Sequence, residues 1–274
     1  MILVIKLSGK VLEDNENRLE ICRQIGKLSR DGYRMVVVHG GGKQLTRLSE
    51  RLGVPTVQHQ GRRVTDGETL ELAVMVFSLI NRTLVAALLG FDVAAIGVSA
   101  FDGRLTRCRR RPPMAVETAD STGQRGMEEV DFGLVGEIEQ IEPALVLNFW
   151  QSGLTPVISC LGADSSGQIL NINADTLAAE LAVALPAARL LSVSDVAGLY
   201  LEVGDPQTQV GELTSQQART YLQEGRITDG MVPKIETALK ALEQGVPCVQ
   251  IVSGLEKDAL LQGLKDKAGT LLRP

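Results

Sequence analysis

The chain is poor in aromatic side chains. Trp, Tyr and Phe make up 3% of its 274 residues, too few for a platform on which the bases of a single strand could stack. A cationic excess is missing too. Twenty-eight Lys and Arg face 33 Asp and Glu, a net charge of −5, which argues against a nucleic-acid-binding body. There are two histidines, His39 and His59, and four scattered cysteines, Cys22, Cys108, Cys160 and Cys248, with no C-x-x-C. This excludes the usual structural zinc site and disulfide framework, and fits small core thiols in a reducing compartment. No apolar run reaches the roughly 18 residues of a membrane span. The opening "MILVIKLSGK" is too short and too strand-like for a signal peptide. The expectation is a cytoplasmic protein with no nucleic-acid or membrane partner. Internal repeats, linkers and low-complexity segments are absent as well.

Apolar residues, at 44%, suit one large α/β domain or two lobes. Strand-like runs alternate with helix-like runs along the chain: "ILVIKL", "MVVV", "DVAAIGV", "TPVISC", "ARLLSVSD", "PCVQIV" and "GTLLR" against helical periods over 17–32, 43–53, 66–90, 142–153, 173–185, 215–225 and 229–245. Thr65 or Asp66 and Asn173 stand where helix caps belong. Short, fully apolar strands point to a mostly parallel sheet covered on both faces. From Ser99 to Glu142 the chain is polar and has no helical period. There "RLTRCRRRPP" reads as a solvated rim, and "FGLVGEIEQI" alternates like one strand of a hairpin.

Between a strand and a helix stand Gly40, Gly41 and Gly42. Three glycines cost backbone entropy. Either the turn is too tight for side chains, or backbone N–H groups face an anion that approaches closer than a Cβ allows. Neither the Walker loop nor G-x-G-x-x-G fits, because Gln44 and Leu45 occupy the deciding positions. Lys6 lies in an apolar strand, where an unpaired ammonium is costly. It either snorkels or emerges at the strand's carboxyl end, where open α/β sheets bind ligands. Arg63, on a loop, offers a fork for a carboxylate. Asn173 or Asp175 is explained by capping, but Asn171 is not. Ser194 and Asp195 end a strand, with Gly198 just beyond. Lys234 lies one to two turns into a helix that opens with Thr228, Asp229 and Gly230; alone, it reads as a solvent-facing lysine.

In this order, K-L-x-G at Lys6 to Gly9, "VVHGGG", "GRRVTD", "LNINAD", "LSVSDVAGL" and "GRITDGMVPKI" resemble the amino acid kinase family, and within it the acetylglutamate kinases, over nearly the whole chain. The resemblance implies a three-layer αβα sandwich with a central, mainly parallel sheet and a β-hairpin lid over the substrate site. It implies an N-terminal lobe, residues 1–186, for amino-acid binding and dimerisation, and a C-terminal lobe, residues 187–274, for ATP with Mg²⁺. Lys6 and Lys234 would neutralise the transferring phosphoryl group, and Asp175 would organise them. Gly41, Gly42, Arg63 and Asn171 would bind N-acetyl-L-glutamate. Gly9, Ser194, Asp195, Gly198, Leu199, Thr228, Gly230 and Met231 would line the nucleotide site, with no protein-held metal.

The implied reaction is ATP-dependent phosphorylation of the γ-carboxylate, the second step of arginine biosynthesis. Such a carboxylate is ionised at neutral pH, so no general base is required, and alignment and positive charge must do the catalysis. Alternatives are an N-succinylated or carrier-protein-linked glutamate or aminoadipate as acceptor, with the Arg104–Arg111 cluster favouring the carrier. A non-catalytic amino-acid or nucleotide sensor is a further alternative, though it would be marked by loss of the lysines. Two departures stand out. Ser8 replaces the first of two family glycines, which a negative φ would permit. The Arg109–Thr122 segment is longer than the family's. Arginine-inhibited hexameric members carry a helix before the first strand, and this chain starts at the strand, so the expectation is a homodimer that arginine does not inhibit.

Overall fold

The computed structural model describes residues 1–59, 62–119, 125–202 and 205–274. The start of "GRRVTD" and the end of the Arg109–Thr122 segment lie outside the described residues. In chain order the elements are β1 (Ile2–Leu7), α1 (Gly9–Glu13), α2 (Asn15–Arg30), β2 (Arg34–His39), α3 (Gly42–Leu52), β3 (Gln58–His59), β4 (Arg62–Arg63), α4 (Gly67–Leu89) and β5 (Ala95–Ser99). Then come β6 (Thr106–Arg110), β7 (Met114–Ala119), β8 (Arg125–Val130), β9 (Gly136–Ile141), α5 (Ala144–Gln151), β10 (Thr155–Ser159), β11 (Leu161–Ala163), β12 (Ile169–Asn171) and α6 (Ala174–Ala184). The last third holds β13 (Arg189–Ser194), β14 (Leu199–Tyr200), β15 (Gln209–Val210), β16 (Glu212–Thr214), α7 (Ser215–Gln223), α8 (Val232–Glu243), β17 (Val249–Ser253), α9 (Ala259–Gly263) and β18 (Thr270–Arg273).

The main sheet runs β16-β18-β17-β13-β1-β2-β10-β5. Its described pairs are parallel except β17 with β18. Alternation along the central strands sorts side chains to two faces. Leu3, Ile5 and Leu7 pack with Ile21, Ile25 and Leu260 from α2 and α9. Val4, Val38 and Leu190 pack with Leu177 and Leu181 of α6 and Ile235 and Leu239 of α8. Lys6 shares the second face, so its head is directed to the side where α6 and α8 begin. The α/β sandwich expected from the strand–helix order is therefore present. One sheet, with a core cluster on each face, runs through both halves of the chain.

Local chemistry sets the element ends. Asp14 accepts from the Asn17 N–H at 2.8 Å, so α2 starts at Asn15, ahead of the expected residue 17, and a short α1 precedes it. Asp66 caps α4, accepting from Thr69 N–H at 2.8 Å, and Asn173 caps α6, accepting from Thr176 N–H at 2.9 Å. The helix expected over 229–245 is split into a 3-10 turn at Asp229–Met231 and α8; Pro233 in the first turn of α8 has no N–H to bond backwards. Arg63, expected on a loop, lies on β4 opposite Gln58. Ser8 has φ −76°, so the departure from glycine costs no backbone strain.

No unbroken apolar run of membrane length is present, as expected, but one helix is apolar enough on average composition. Helix α4 has 23 residues and contains an 18-residue stretch of mean hydropathy 2.0, long and apolar enough by length and composition to cross a membrane. Ser78, Asn81, Arg82 and Thr83 break that stretch in sequence. In the fold, Leu72, Ala73, Val76, Phe77, Leu84 and Leu88 are buried in the protein core, and β5 follows α4 into the sheet.

Candidate active site

The carboxyl ends of β1, β2 and β13 meet three helix starts. Lys6 is only 5% exposed, and its Nζ lies 2.8 Å from Oδ1 of Asp175 in the first turn of α6. A buried ammonium is tolerable when so paired. Lys234, in the first turn of α8, lines the same small cleft with Ser192 and Thr237. Burial, and secondarily the Lys6 ammonium, push the Lys234 pKa below the ordinary lysine value. Lys10, absent from the sequence-predicted set, ion-pairs with Asp195 at the end of β13. Its only signal was the second lysine of "KLSGK", directly after the turn glycine. Burial raises the Asp195 pKa, but the hydrogen bonds and charge it gains from Lys10, its own backbone N–H and Ser194 together outweigh it, and the net shift is downward. Three lysines and two aspartates thus stand at one edge of the sheet. Cys160 lies nearby, and burial holds its thiol protonated with a pKa of about 12.

The glycine turn settles the choice between packing and ligand approach residue by residue. A Cβ on Gly41 would come within 2.6 Å of Ile80 Cδ1 and 2.8 Å of Phe77 Cδ1, and one on Gly9 would lie 3.2 Å from the Gly41 Cα. The two turns therefore pack backbone to backbone. Gly42 has nothing within 4 Å of such a Cβ, so the protein itself gives no steric reason for glycine there. The Gly41 and Gly42 N–H groups open α3, and neither meets a backbone acceptor among the described residues.

Arg63 sits beside this turn. Its guanidinium donates to Thr56 Oγ1 at 3.1 Å, Gly42 O at 3.2 Å and Thr46 Oγ1 at 2.5 Å. No carboxylate lies within ion-pair distance among the described residues, and burial lowers its pKa. Asn171 donates to Thr65 Oγ1 at 3.2 Å, which joins "LNINAD" to the segment just after β4. Val116, Val130, Phe132 and Val135 of the β7–β9 region pack with Val64 in a separate small core, setting the hairpins beside this end of the site.

Not every candidate needs a ligand to explain it. Gly198 has φ +136°, and a Cβ there would lie 2.5 Å from Thr270 Oγ1. Leu199 is buried, and its N–H donates to Thr270 Oγ1 at 2.8 Å. Packing accounts for both. Ser194 is buried and donates to Asp195 Oδ1 at 3.2 Å. Thr228 and Met231 close the turn before α8, with Met231 N–H on Thr228 O at 3.2 Å, and Gly230 faces open space.

The sequence pattern of the amino acid kinase family matches residues 1–253. The chain belongs to the amino acid kinase family. It is a kinase: an acetylglutamate kinase of Sorangium cellulosum is 39% identical over 99% of this chain and 94% of its own length. An acetylglutamate kinase of Methanothrix thermoacetophila is 37% identical over 98% and 90%. Among solved structures, the N-acetylglutamate synthase of Neisseria gonorrhoeae, complexed with coenzyme A and N-acetyl-glutamate, superposes with a TM-score of 0.83 at 26% identity. That match covers all of this chain and 59% of the longer synthase.

Proposed function

We propose that this kinase transfers the γ-phosphoryl group of ATP to the γ-carboxylate of N-acetyl-L-glutamate, giving the acyl phosphate used in arginine synthesis. The observation that carries the reading is the Lys6–Asp175 pair facing Lys234 across one cleft, with an arginine beside the glycine turn that pairs with no acid among the described residues. Arg63 and Asn171 hold the acceptor's carboxylate and amide. The Gly41 and Gly42 N–H groups face the acceptor and the moving phosphoryl group. Lys6 and Lys234 offset charge on the equatorial oxygens, and Asp175 keeps Lys6 aimed. The acceptor carboxylate is already ionised at neutral pH, so no proton need be removed. His39, fully buried, is not asked to act as a base.

Gly9, Ser194, Asp195, Lys10 and the Thr228–Met231 turn form the nucleotide side. Gly9 and Lys10 apart, residues 1–186 serve the acceptor and 187–274 the nucleotide. Among the described residues no three His, Cys, Asp or Glu gather as a metal cage. That donor set suits Mg²⁺ bound through nucleotide phosphates and water, where it neutralises phosphate charge; no residue of the chain is assigned to it. Exposed Met75, Leu79 and Leu89 on α4 support a homodimer built on that face, and the four free, buried cysteines suit the cytoplasm. Leu79→Asp should turn a dimer into a monomer by light scattering; an unchanged mass would move the interface elsewhere.

The test is ADP release with Mg-ATP, comparing N-acetyl-L-glutamate, N-succinyl-L-glutamate, free glutamate, carbamate, aspartate and UMP. Selective turnover of N-acetyl-L-glutamate is expected. Preference for another acceptor would overturn the assignment.

A further inference from the structure

The last residue of β2 is a histidine with no solvent exposure. His39 Nδ1 lies 3.0 Å from the Gly40 carbonyl oxygen, and Nε2 lies 3.1 Å from Asn81 Nδ2. Asn81 Nδ2 also lies 2.9 Å from the Val157 carbonyl oxygen. A carbonyl only accepts, so that side-chain atom must be the amide nitrogen. An amide nitrogen only donates, so Nε2 of His39 accepts, and the ring proton sits on Nδ1, where it is donated to Gly40. The geometry therefore fixes the tautomer. Position 97 cooperates: a Cβ on Gly97 would overlap the Asn81 amide oxygen, so glycine there makes room for the asparagine. Asn81 on α4 thereby ties together β2, β10 and β5 where their carboxyl ends face the site.

The Gly40 carbonyl belongs to the same rigid trans peptide as the Gly41 N–H, and the two point in opposite directions. Holding the oxygen aims the N–H. We propose that His39 and Asn81 are positioning residues for phosphoryl transfer: His39 holds the Gly40–Gly41 peptide so that the Gly41 N–H faces the reacting groups, and Asn81 selects the tautomer that lets it do so. This rests on the function proposed above. Neither side chain touches a reactant. A hydrophobic residue would satisfy packing at this strand end at less cost, since buried polar groups must be paired. Burial also lowers the His39 pKa to about 4, so one donor and one acceptor persist through the neutral range.

The test uses the geometric likeness of amides to the two ring nitrogens. Asn places a donor near the Nδ1 position, and Gln places its amide near Nε2. His39→Gln and Asn81→Leu should each lower kcat at least tenfold, with the KM for Mg-ATP changed less than twofold. His39→Asn should recover kcat to within threefold of the parent. Melting temperatures of all three check folding. A merely structural role would make kcat follow melting temperature and give no rescue by Asn; that result, or unchanged kcat in His39→Gln, overturns the proposal alone. A parent enzyme inactive on every acceptor would sink it together with the functional reading. Imidazole ¹⁵N shifts of the unliganded parent should show the Nδ1–H tautomer from pH 5.5 to 8; an Nε2–H tautomer overturns the proposal regardless of activity.

Discussion

The arginines of the β6–β9 hairpin and the arginine of the β3–β4 hairpin have opposite surroundings. Arg109 bonds Glu137 at 3.0 Å and Arg110 bonds Asp131 at 2.8 Å. Arg111 Nε stands 3.3 Å from Glu137 Oε1, an ion pair without hydrogen-bond alignment. Three consecutive arginines of the run that looks most basic in the sequence are thus paired with acids of the same lid region. Arg63, in contrast, meets two hydroxyls and a carbonyl and no acid among the described residues. Matched charge holds the scaffold, and unmatched charge remains for an anionic ligand. The lysines repeat the lesson. Lys10 is matched by Asp195, whereas no ion-pair partner within 4.0 Å is found for Lys234 among the described residues, and burial, with the Lys6 charge, lowers its pKa.

The largest effect expected from this contrast lies at the cleft lysines. Lys6→Ala or Lys234→Ala should lower kcat by about 10² or more, the scale of losing one charge-stabilising group at a transition state. Steady-state kinetics decide it, and losses under tenfold for both would place the chemistry elsewhere. Next, Arg63→Ala should raise the KM for the amino-acid acceptor by about tenfold, as befits a charge-assisted contact, and the KM for Mg-ATP by less. The reverse pattern would move Arg63 to the nucleotide side.

A smaller effect concerns pH. Because the Lys234 pKa is depressed in the free enzyme, its positive charge is lost at lower pH than an ordinary lysine's. The alkaline fall of kcat/KM, which reports free-enzyme groups, should therefore begin below the ordinary lysine range and weaken in Lys234→Arg. An alkaline limb unaffected by that change would assign it to another group. The smallest effect belongs to the matched arginines: Arg109→Ala and Arg110→Ala should leave kcat and both KM values within about twofold, as exposed ion pairs are worth little. A large rise in the acceptor KM for either would return the basic run to the substrate site and break the contrast.

Much of this was legible in the sequence. Alternation in "ILVIKL" put Lys6 on one face of a strand, and the caps Asp66 and Asn173 stood where helix-start chemistry requires them. The meeting of Lys6, Asp175 and Lys234 was not legible from spacing, since it depends on α6 and α8 packing on the same sheet face. Lys10 was hidden because a lysine after a turn glycine usually faces solvent. Its partner Asp195 lies 185 residues away. The His39–Asn81 contact crosses from β2 to α4 and needs Gly97 on a third element, a coincidence of three segments that no local pattern records. The Arg-rich run read as a solvated rim, but its pairing was not legible, because its acids arrive from the returning strand and from the turn before it.

The central claim is that an acyl phosphate forms at this cleft. The most direct measurement is to run the reaction with Mg-ATP and N-acetyl-L-glutamate in hydroxylamine, which converts an acyl phosphate to a stable hydroxamate, and to quantify hydroxamate against ADP. The account predicts equal amounts of the two, with both abolished in Lys6→Ala. ADP formed without hydroxamate, or hydroxamate undiminished in Lys6→Ala, would contradict it.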